Sequence, residues 1–239
     1  MSVEFAEFPT TTNITLAQSV SWFDSDTDCT VVISQPDTDP DLWNRYLDAA
    51  QQSYRKHGVE KAVNAAAIRD GHDTALFWTV LDRRGHMVGG VRAKGPLQGA
   101  DDSHAVVEWA GQPGLDTVRT MINERTPFGI VEMKTAWVCD ERNRAHAVTD
   151  LLARTGFHVT TLMDIRYIMA TAAQHVLELW KSGGGTVAPI PATPYPDPRY
   201  RTKMMWWDYR TLADLSEPQQ LSKALAEVRH ISSFLTTAG

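Results

Sequence analysis

Residues 129–157 read GIVEMKTAWVCDERNRAHAVTDLLARTGF, and the fold turns on this stretch. After Gly129 the residues alternate. Ile130, Glu132 and Lys134 fall on one side, and Val131, Met133 and Thr135 on the other. A period of two predicts a strand over residues 129–138. Cys139, Asp140 and Glu141 break that pattern. Helical spacing then runs from Arg142 to Gly156 and predicts a helix over residues 142–155. A strand that enters a helix through a short polar turn leaves unpaired N–H groups and a positive dipole end at the turn, which suits an anion.

Upstream, residues 75–81 (ALFWTVL) and 87–93 (MVGGVRA) flank Asp82-Arg83-Arg84-Gly85 and predict an antiparallel hairpin. Residues 29–34 predict an earlier strand. Pro40 marks a helix start, and Leu42, Trp43, Tyr46, Leu47, Ala50 and Tyr54 share one face until Gly58. Residues 59–68 predict a second helix ending at Gly71, and residues 115–125 a third. Downstream, residues 159–168 predict a strand and residues 170–181 a helix stopped by Gly183-Gly184-Gly185. Strands over 186–190 and 201–209 bracket a proline-rich connection at 191–198. Ser216 and Gln219 have capping-box spacing for a last helix.

Residues 1–20 read as an irregular arm, 21–212 as the main domain and 213–239 as a C-terminal helix. That helix could form a homodimer seam or pack back on its own sheet. Strand–helix–strand units in the second half predict parallel pairing there. The fold class is α/β, with a mixed, partly antiparallel central sheet and flanking helices.

Composition removes several function classes. The chain has 239 residues, a formal net charge of −6 and 43% hydrophobic residues, so a broad nucleic-acid surface is not expected. Cys29 and Cys139 are too few for a disulfide framework and point to a reducing, cytoplasmic setting. No run approaches the ~20 apolar residues of a membrane helix, so no membrane partner is expected. The first fifteen residues lack the basic start and apolar block of a signal peptide. No metal is expected. The histidines have no HxxxH or HExxH spacing, and Asp24, Asp26 and Asp28 lack the glycine and closing glutamate of a calcium loop. There is no Walker A loop and no GxSxG elbow.

The order of elements resembles the GNAT superfamily of acyltransferases. The best local match covers residues 129–156. Arg142-Asn143-Arg144-Ala145-His146-Ala147 resembles the superfamily's Q/R-x-x-G-x-G/A turn, with Ala145 where the first glycine is expected. The resemblance implies that this hexad holds the pyrophosphate of an acyl-CoA, or the phosphate of an acyl-phosphopantetheine thioester, with Arg142 and Arg144 gripping phosphate. It also implies that a backbone N–H near Trp137 or Val138 polarises the thioester carbonyl.

A narrower resemblance, over about residues 42–209, is to the long-acyl branch of acyl-homoserine lactone synthases and N-acyl amino acid synthases. Tyr54-Arg55-Lys56, Val88-Gly89-Gly90-Val91-Arg92 and the pair Glu132 and Lys134 carry it. Thr135 stands where that branch has an arginine. The implied function is N-acylation of a small-molecule amine, such as an amino acid, from acyl-CoA or acyl carrier protein. Two alternatives stand beside it: an autoinducer synthase using S-adenosylmethionine, against which Thr135 argues, and a GNAT-like binding module without catalysis.

Direct transfer needs a base, a carbonyl polariser and an acid for the leaving thiolate. Glu132 is the first candidate base and Glu108 the second. Arg92 could hold a substrate carboxylate, and Tyr167 or Tyr195 could protonate the thiolate. Glu132 and Lys134, two apart on one strand face, could instead pair with each other.

Overall fold

The computed structural model describes residues 14–235. Its strands are β1 (Val20–Asp24), β2 (Cys29–Ser34), β3 (Thr74–Leu81), β4 (Met87–Lys94), β5 (Ile130–Val138), β6 (Tyr167–Ala173), β7 (Thr186–Val187) and β8 (Thr202–Asp208). Its helices are α1 (Pro40–Lys56), α2 (His104–Glu108), α3 (Leu115–Arg125), α4 (Arg142–Ala153), α5 (Thr155–Met163), α6 (Leu177–Lys181), α7 (Tyr209–Leu215) and α8 (Pro218–Leu235). The strands form one sheet in the order β1-β2-β3-β4-β5-β6-β8-β7. Among the described residues only β5 and β6 pair in parallel; the other six strand pairings are antiparallel. The mixed sheet expected from the sequence is therefore present, with a single parallel pair.

Strand alternation gives the sheet two apolar faces. Val31, Ile33, Trp78, Val91 and Val131 lie on one, buried with Val148 and Leu151 of α4, Val159 of α5 and Ile231 of α8. On the other face Phe77 packs with Trp43, Tyr46 and Leu47 of α1. Farther along that face, Ile130 and Met169 pack with Ala105 of α2 and with Val118 and Ile122 of α3. Gly90 permits the close approach of α1. A Cβ there would lie 2.7 Å from the Trp78 carbonyl and 2.9 Å from the Tyr46 ring.

Several sequence expectations fail locally. Residues 59–68 hold only one short 3-10 turn, Glu60–Ala62. Asn64 Oδ1 accepts the Ala67 N–H at 3.1 Å, a local bond that competes with helix. The strand expected over 159–168 is helix α5 as far as Met163 and strand only from Tyr167. Thr155 through Thr160 are all buried, and burial on every side hides the period that separates helix from strand. The Thr160 hydroxyl bonds back to the Gly156 carbonyl at 3.2 Å, and Asp164, at φ 48°, ends the helix. The helix expected over 170–181 is β6 as far as Ala173, a 3-10 turn over Gln174–Val176 and α-helix only from Leu177. The strand expected over 186–190 shrinks to Thr186–Val187.

The arm expected over 1–20 ends in strand β1; its first thirteen residues lie outside the described range. The boundary expected at residue 212 falls inside α7. Ser216 is no capping-box residue. Its hydroxyl donates to the Leu212 carbonyl at 2.6 Å, at the end of α7, and α8 starts at Pro218, a residue suited to a helix's first turn. Helix α8 packs back on the chain's own core through Ala224 and Ile231.

Candidate functional site

The site begins with a fault in β5. Gly90 pairs with Trp137 and Arg92 with Lys134, so Thr135 and Ala136 together oppose Val91. This is a β-bulge, which bends the strand that carries it. Thr135 adopts φ 55°, a costly conformation for a β-branched residue. Two tyrosines on one face of α1 hold it there. Tyr46 donates to the Thr135 carbonyl at 2.8 Å and Tyr54 to the Ala136 carbonyl at 3.0 Å. Burial pushes the Tyr54 phenol up to about 12, so it stays a donor.

The bend ends the parallel pairing. β5 and β6 are paired from Ile130 with Tyr167 to Met133 with Ala170 and no farther. Past that point β5 stays with β4, β6 stays with β8, and the two strands splay. A cavity of about 410 Å³ fills the opening. Leu152, Gly156, Ile168, Trp180 and Trp207 give it an apolar wall on the α4 side of the sheet. Tyr54, Glu108, Lys134 and Tyr195 line it on the opposite side.

Two of these, Glu108 and Lys134, form a charged cluster. Glu108, in the last turn of α2, is buried. Its Oε1 accepts from Lys134 Nζ at 2.7 Å and Thr171 Oγ1 at 2.9 Å, and lies 3.0 Å from His104 Nδ1. Its Oε2 is buried without a partner. Burial alone would raise the Glu108 pKa. The Lys134 charge and the His104 and Lys134 hydrogen bonds outweigh burial and bring the carboxyl down to about 2. Burial alone would lower the Lys134 pKa, but Glu108 and Glu132 raise it. The pair is fully charged at neutral pH.

The structure sorts the residues singled out by sequence. Glu108, Trp137 and Val138 line the cavity, and Tyr195 joins them. Glu132 is fully buried beneath Lys134 and outside the cavity wall; its Oε2 accepts the His104 N–H at 3.0 Å. The expected pairing of Glu132 with Lys134 is loose, at 4.0 Å, because Lys134 turns to Glu108. Arg92 is buried and committed to Asp73 at 2.6 Å and to the Thr74 hydroxyl at 2.8 Å. Tyr167 lies at the opposite end of β6 from the splay, edge-on to Trp206 and beside Arg125 and Arg166.

Arg142, Asn143, Arg144, Ala145, His146 and Ala147 form the opening turns of α4, and Arg144, Ala145, His146 and Ala147 lie outside the cavity wall. The Ala145 N–H donates to the Glu141 carbonyl at 2.7 Å, so the open N–H groups of this helix end belong to earlier residues. Arg144 lies 3.4 Å from Glu141 and His146 3.6 Å from Asp150. Sequence reasoning missed His104 and Thr171. Both join the site only through tertiary folding: α2 is five residues long, and Thr171 points into the splay from β6. The available signal was the four-residue spacing of His104 and Glu108.

Among the described residues no helix is long and apolar enough to cross a membrane, and no group of three or more metal-ligating side chains occurs.

No protein-family model matches the chain. The uncharacterized protein Rv1356c of Mycobacterium tuberculosis is 52% identical over 216 residues, spanning 90% of this chain and 82% of that protein. The uncharacterized protein Mb1391c of Mycobacterium bovis matches with the same figures. Among solved structures, FeeM, an N-acyl amino acid synthase from uncultured soil microbes, superposes with a TM-score of 0.56 at 13% identity, covering 80% of this chain and 97% of FeeM. BjaI, a CoA-dependent acyl-homoserine lactone synthase, gives 0.50 at 15%, covering 82% and 87%. The phosphinothricin acetyltransferase of Sinorhizobium meliloti, a GNAT-superfamily protein, gives 0.50 at 14%, covering 76% and 88%. The chain belongs to one family with the two mycobacterial proteins, and its fold is that of the GNAT acyltransferases.

Proposed function

We propose that the protein is an N-acyltransferase that moves an acyl group from a pantetheine thioester to the amine of a small molecule. The observation that carries this reading is the opened β5–β6 pair, whose cavity joins an apolar wall to a buried, charged cluster. Its volume of about 410 Å³ lies within the range of ligand pockets. The free edge of β5 beyond Met133 suits the amides of a pantetheine arm, and the first turn of α4 suits its phosphate. The apolar wall at Trp180 and Trp207 suits an acyl chain longer than acetyl. FeeM and BjaI, solved proteins of this fold, are named for chemistry of this kind.

In the reaction the amine nitrogen attacks the thioester carbonyl carbon, the C–S bond breaks, and the thiolate leaves and takes a proton. Glu108, held ionised, orients the amine. Proton removal falls to His104. Its Nδ1 lies 3.0 Å from Glu108 Oε1 and 3.2 Å from Lys134 Nζ, which fixes the ring beside the amine site. Tyr195, also in the wall, is a phenol whose pKa burial raises, and it can protonate the thiolate.

The test offers decanoyl-CoA, acetyl-CoA and decanoyl acyl carrier protein, first as ligands and then as donors with a panel of amines. A bound donor raises the melting temperature by mass action. Free thiol and an N-acyl product by mass spectrometry should follow with the decanoyl donors. Absence of any donor binding by the folded protein sinks the reading. Donor binding without turnover favours a binding module.

A further inference from the structure

Three observations bear on the acceptor. First, the cavity wall offers no free cation among the described residues. No arginine whose side chain is described lines it. Lys134 is engaged by Glu108 at 2.7 Å and also reaches His104 Nδ1 at 3.2 Å. His57 lies 3.3 Å from Asp140, and His175 packs against Tyr200. Arg92 is held by Asp73 outside the wall. Second, Glu108 gathers every one of its contacts on Oε1, so Oε2 is a buried acceptor still lacking a donor. Third, Tyr54 and Tyr195 flank this spot with aromatic surface.

Among the described residues, a substrate carboxylate here would find Lys134 already paired with Glu108 and would lie beside an ionised glutamate in a poorly solvated wall. Like charges in such a place repel strongly. An N–H donor would complete Glu108 instead. We infer that the acyl acceptor is a primary amine with no carboxylate, an alkyl or arylalkyl amine that docks through its N–H groups on Glu108. The inference rests on the acyltransferase reading and narrows it away from amino acids.

The experiment compares ligands that differ only in the carboxylate. Calorimetry of the full chain, with and without CoA, measures tyramine against tyrosine and phenethylamine against phenylalanine. Each amine should bind at least about tenfold more tightly than its amino acid, the scale on which a site rejects a mismatched polar group. The trimethylated form of phenethylamine keeps the cation and loses the N–H groups, and it should bind more weakly than phenethylamine. Glu108→Gln should cost the amines about tenfold and shrink the preference over amino acids. Equal or tighter binding of the amino acids, or binding of neither class, overturns the inference. So does full amine affinity in a folded E108Q; if that variant does not fold, the trimethylated ligand decides. Decanoyl-CoA binding in the same samples separates the two claims. Donor binding with tyrosine preferred overturns the acceptor inference alone. Amine binding without donor binding overturns the acyltransferase reading and leaves an amine site.

Discussion

Two buried charge clusters sit on opposite faces of the sheet, and they are built to different standards. Behind the sheet, Arg154 lies where α4 meets α5 and is 2% exposed. Its Nε donates to Glu227 at 3.0 Å, Nη1 to Gln220 at 3.0 Å, and Nη2 to Asp24 at 2.7 Å and Glu227 at 2.8 Å. The other oxygen of Asp24 takes the Thr27 N–H and hydroxyl, both at 2.9 Å. The other oxygen of Glu227 lies 3.0 Å from His158 Nε2. Trp78 donates to His158 Nδ1 at 3.2 Å; because an indole N–H only donates, the imidazole proton is on Nε2, facing Glu227.

The cluster in front of the sheet leaves two carboxylate oxygens, Glu108 Oε2 and Glu132 Oε1, buried without a hydrogen bond. A buried acceptor left unpaired costs about 1–3 kcal/mol, and more when charged. The complete cluster ties β1, the α4–α5 junction and α8 together. The incomplete one faces the cavity. Completeness suits a cluster that holds the fold, and the deficit at Glu108 is the observation on which the proposed acceptor site rests.

The comparison breaks most visibly at Arg154. Arg154→Ala leaves Asp24 and Glu227 buried without their cation and should cost about 3–5 kcal/mol of stability. Urea unfolding measures the loss. Donor affinity of the folded fraction should stay within about twofold, because additivity holds for sites without shared partners. A loss below about 1 kcal/mol would mean that the cluster does not organise the fold.

Lys134→Met probes the other cluster, with pH as the variable. Folding lowers the Glu108 pKa from 4.5 to about 2. A lowered carboxyl contributes stability that is complete above about pH 4.5 and is lost as pH falls toward about 2, here roughly 3 kcal/mol. Without Lys134, burial dominates and the Glu108 pKa rises, so that contribution is absent at neutrality. The stability gap between the natural protein and the variant should therefore be about 3 kcal/mol at pH 7 and shrink steadily below pH 4.5. A gap that stays constant from pH 7 to pH 3 would remove the Lys134–Glu108 attraction as its cause.

The sequence made the frame legible and the junctions opaque. Period and turn residues revealed β2, the β3–β4 hairpin, α1 and α3 because each follows from local spacing. Strand β5 was legible, but its bulge was not. Thr135 at φ 55° is imposed by Tyr46 and Tyr54, which lie 89 and 82 residues from the carbonyls they hold. Helix α5 was misread because the sheet on one side and α8 on the other remove its polar face. Of the charged site, Glu108 drew notice by itself and Lys134 only as a partner of Glu132. Their pairing needed α2 docked over β5, and the resemblance on which Glu132 was favoured does not specify that docking. Arg154 and Glu227 carried no signal at all, since partners 73 residues apart follow no local period.

The smallest expected effect sharpens the boundary between fold and site. Ala145 replaces the glycine of the resembled turn, yet its N–H is already given to the Glu141 carbonyl at 2.7 Å. Its methyl group, not its N–H, is what it brings to a bound phosphate. Ala145→Gly should therefore act in two opposite directions. It should lower stability by about 1 kcal/mol, the helix penalty of glycine. It should also tighten CoA binding by about threefold, because the backbone of the first turn can then approach the phosphate more closely. A thermal scan gives the first and calorimetry with CoA the second. Loss of stability together with unchanged or weaker CoA binding would place the phosphate elsewhere, and the splayed strands would then hold their ligand without help from the start of α4.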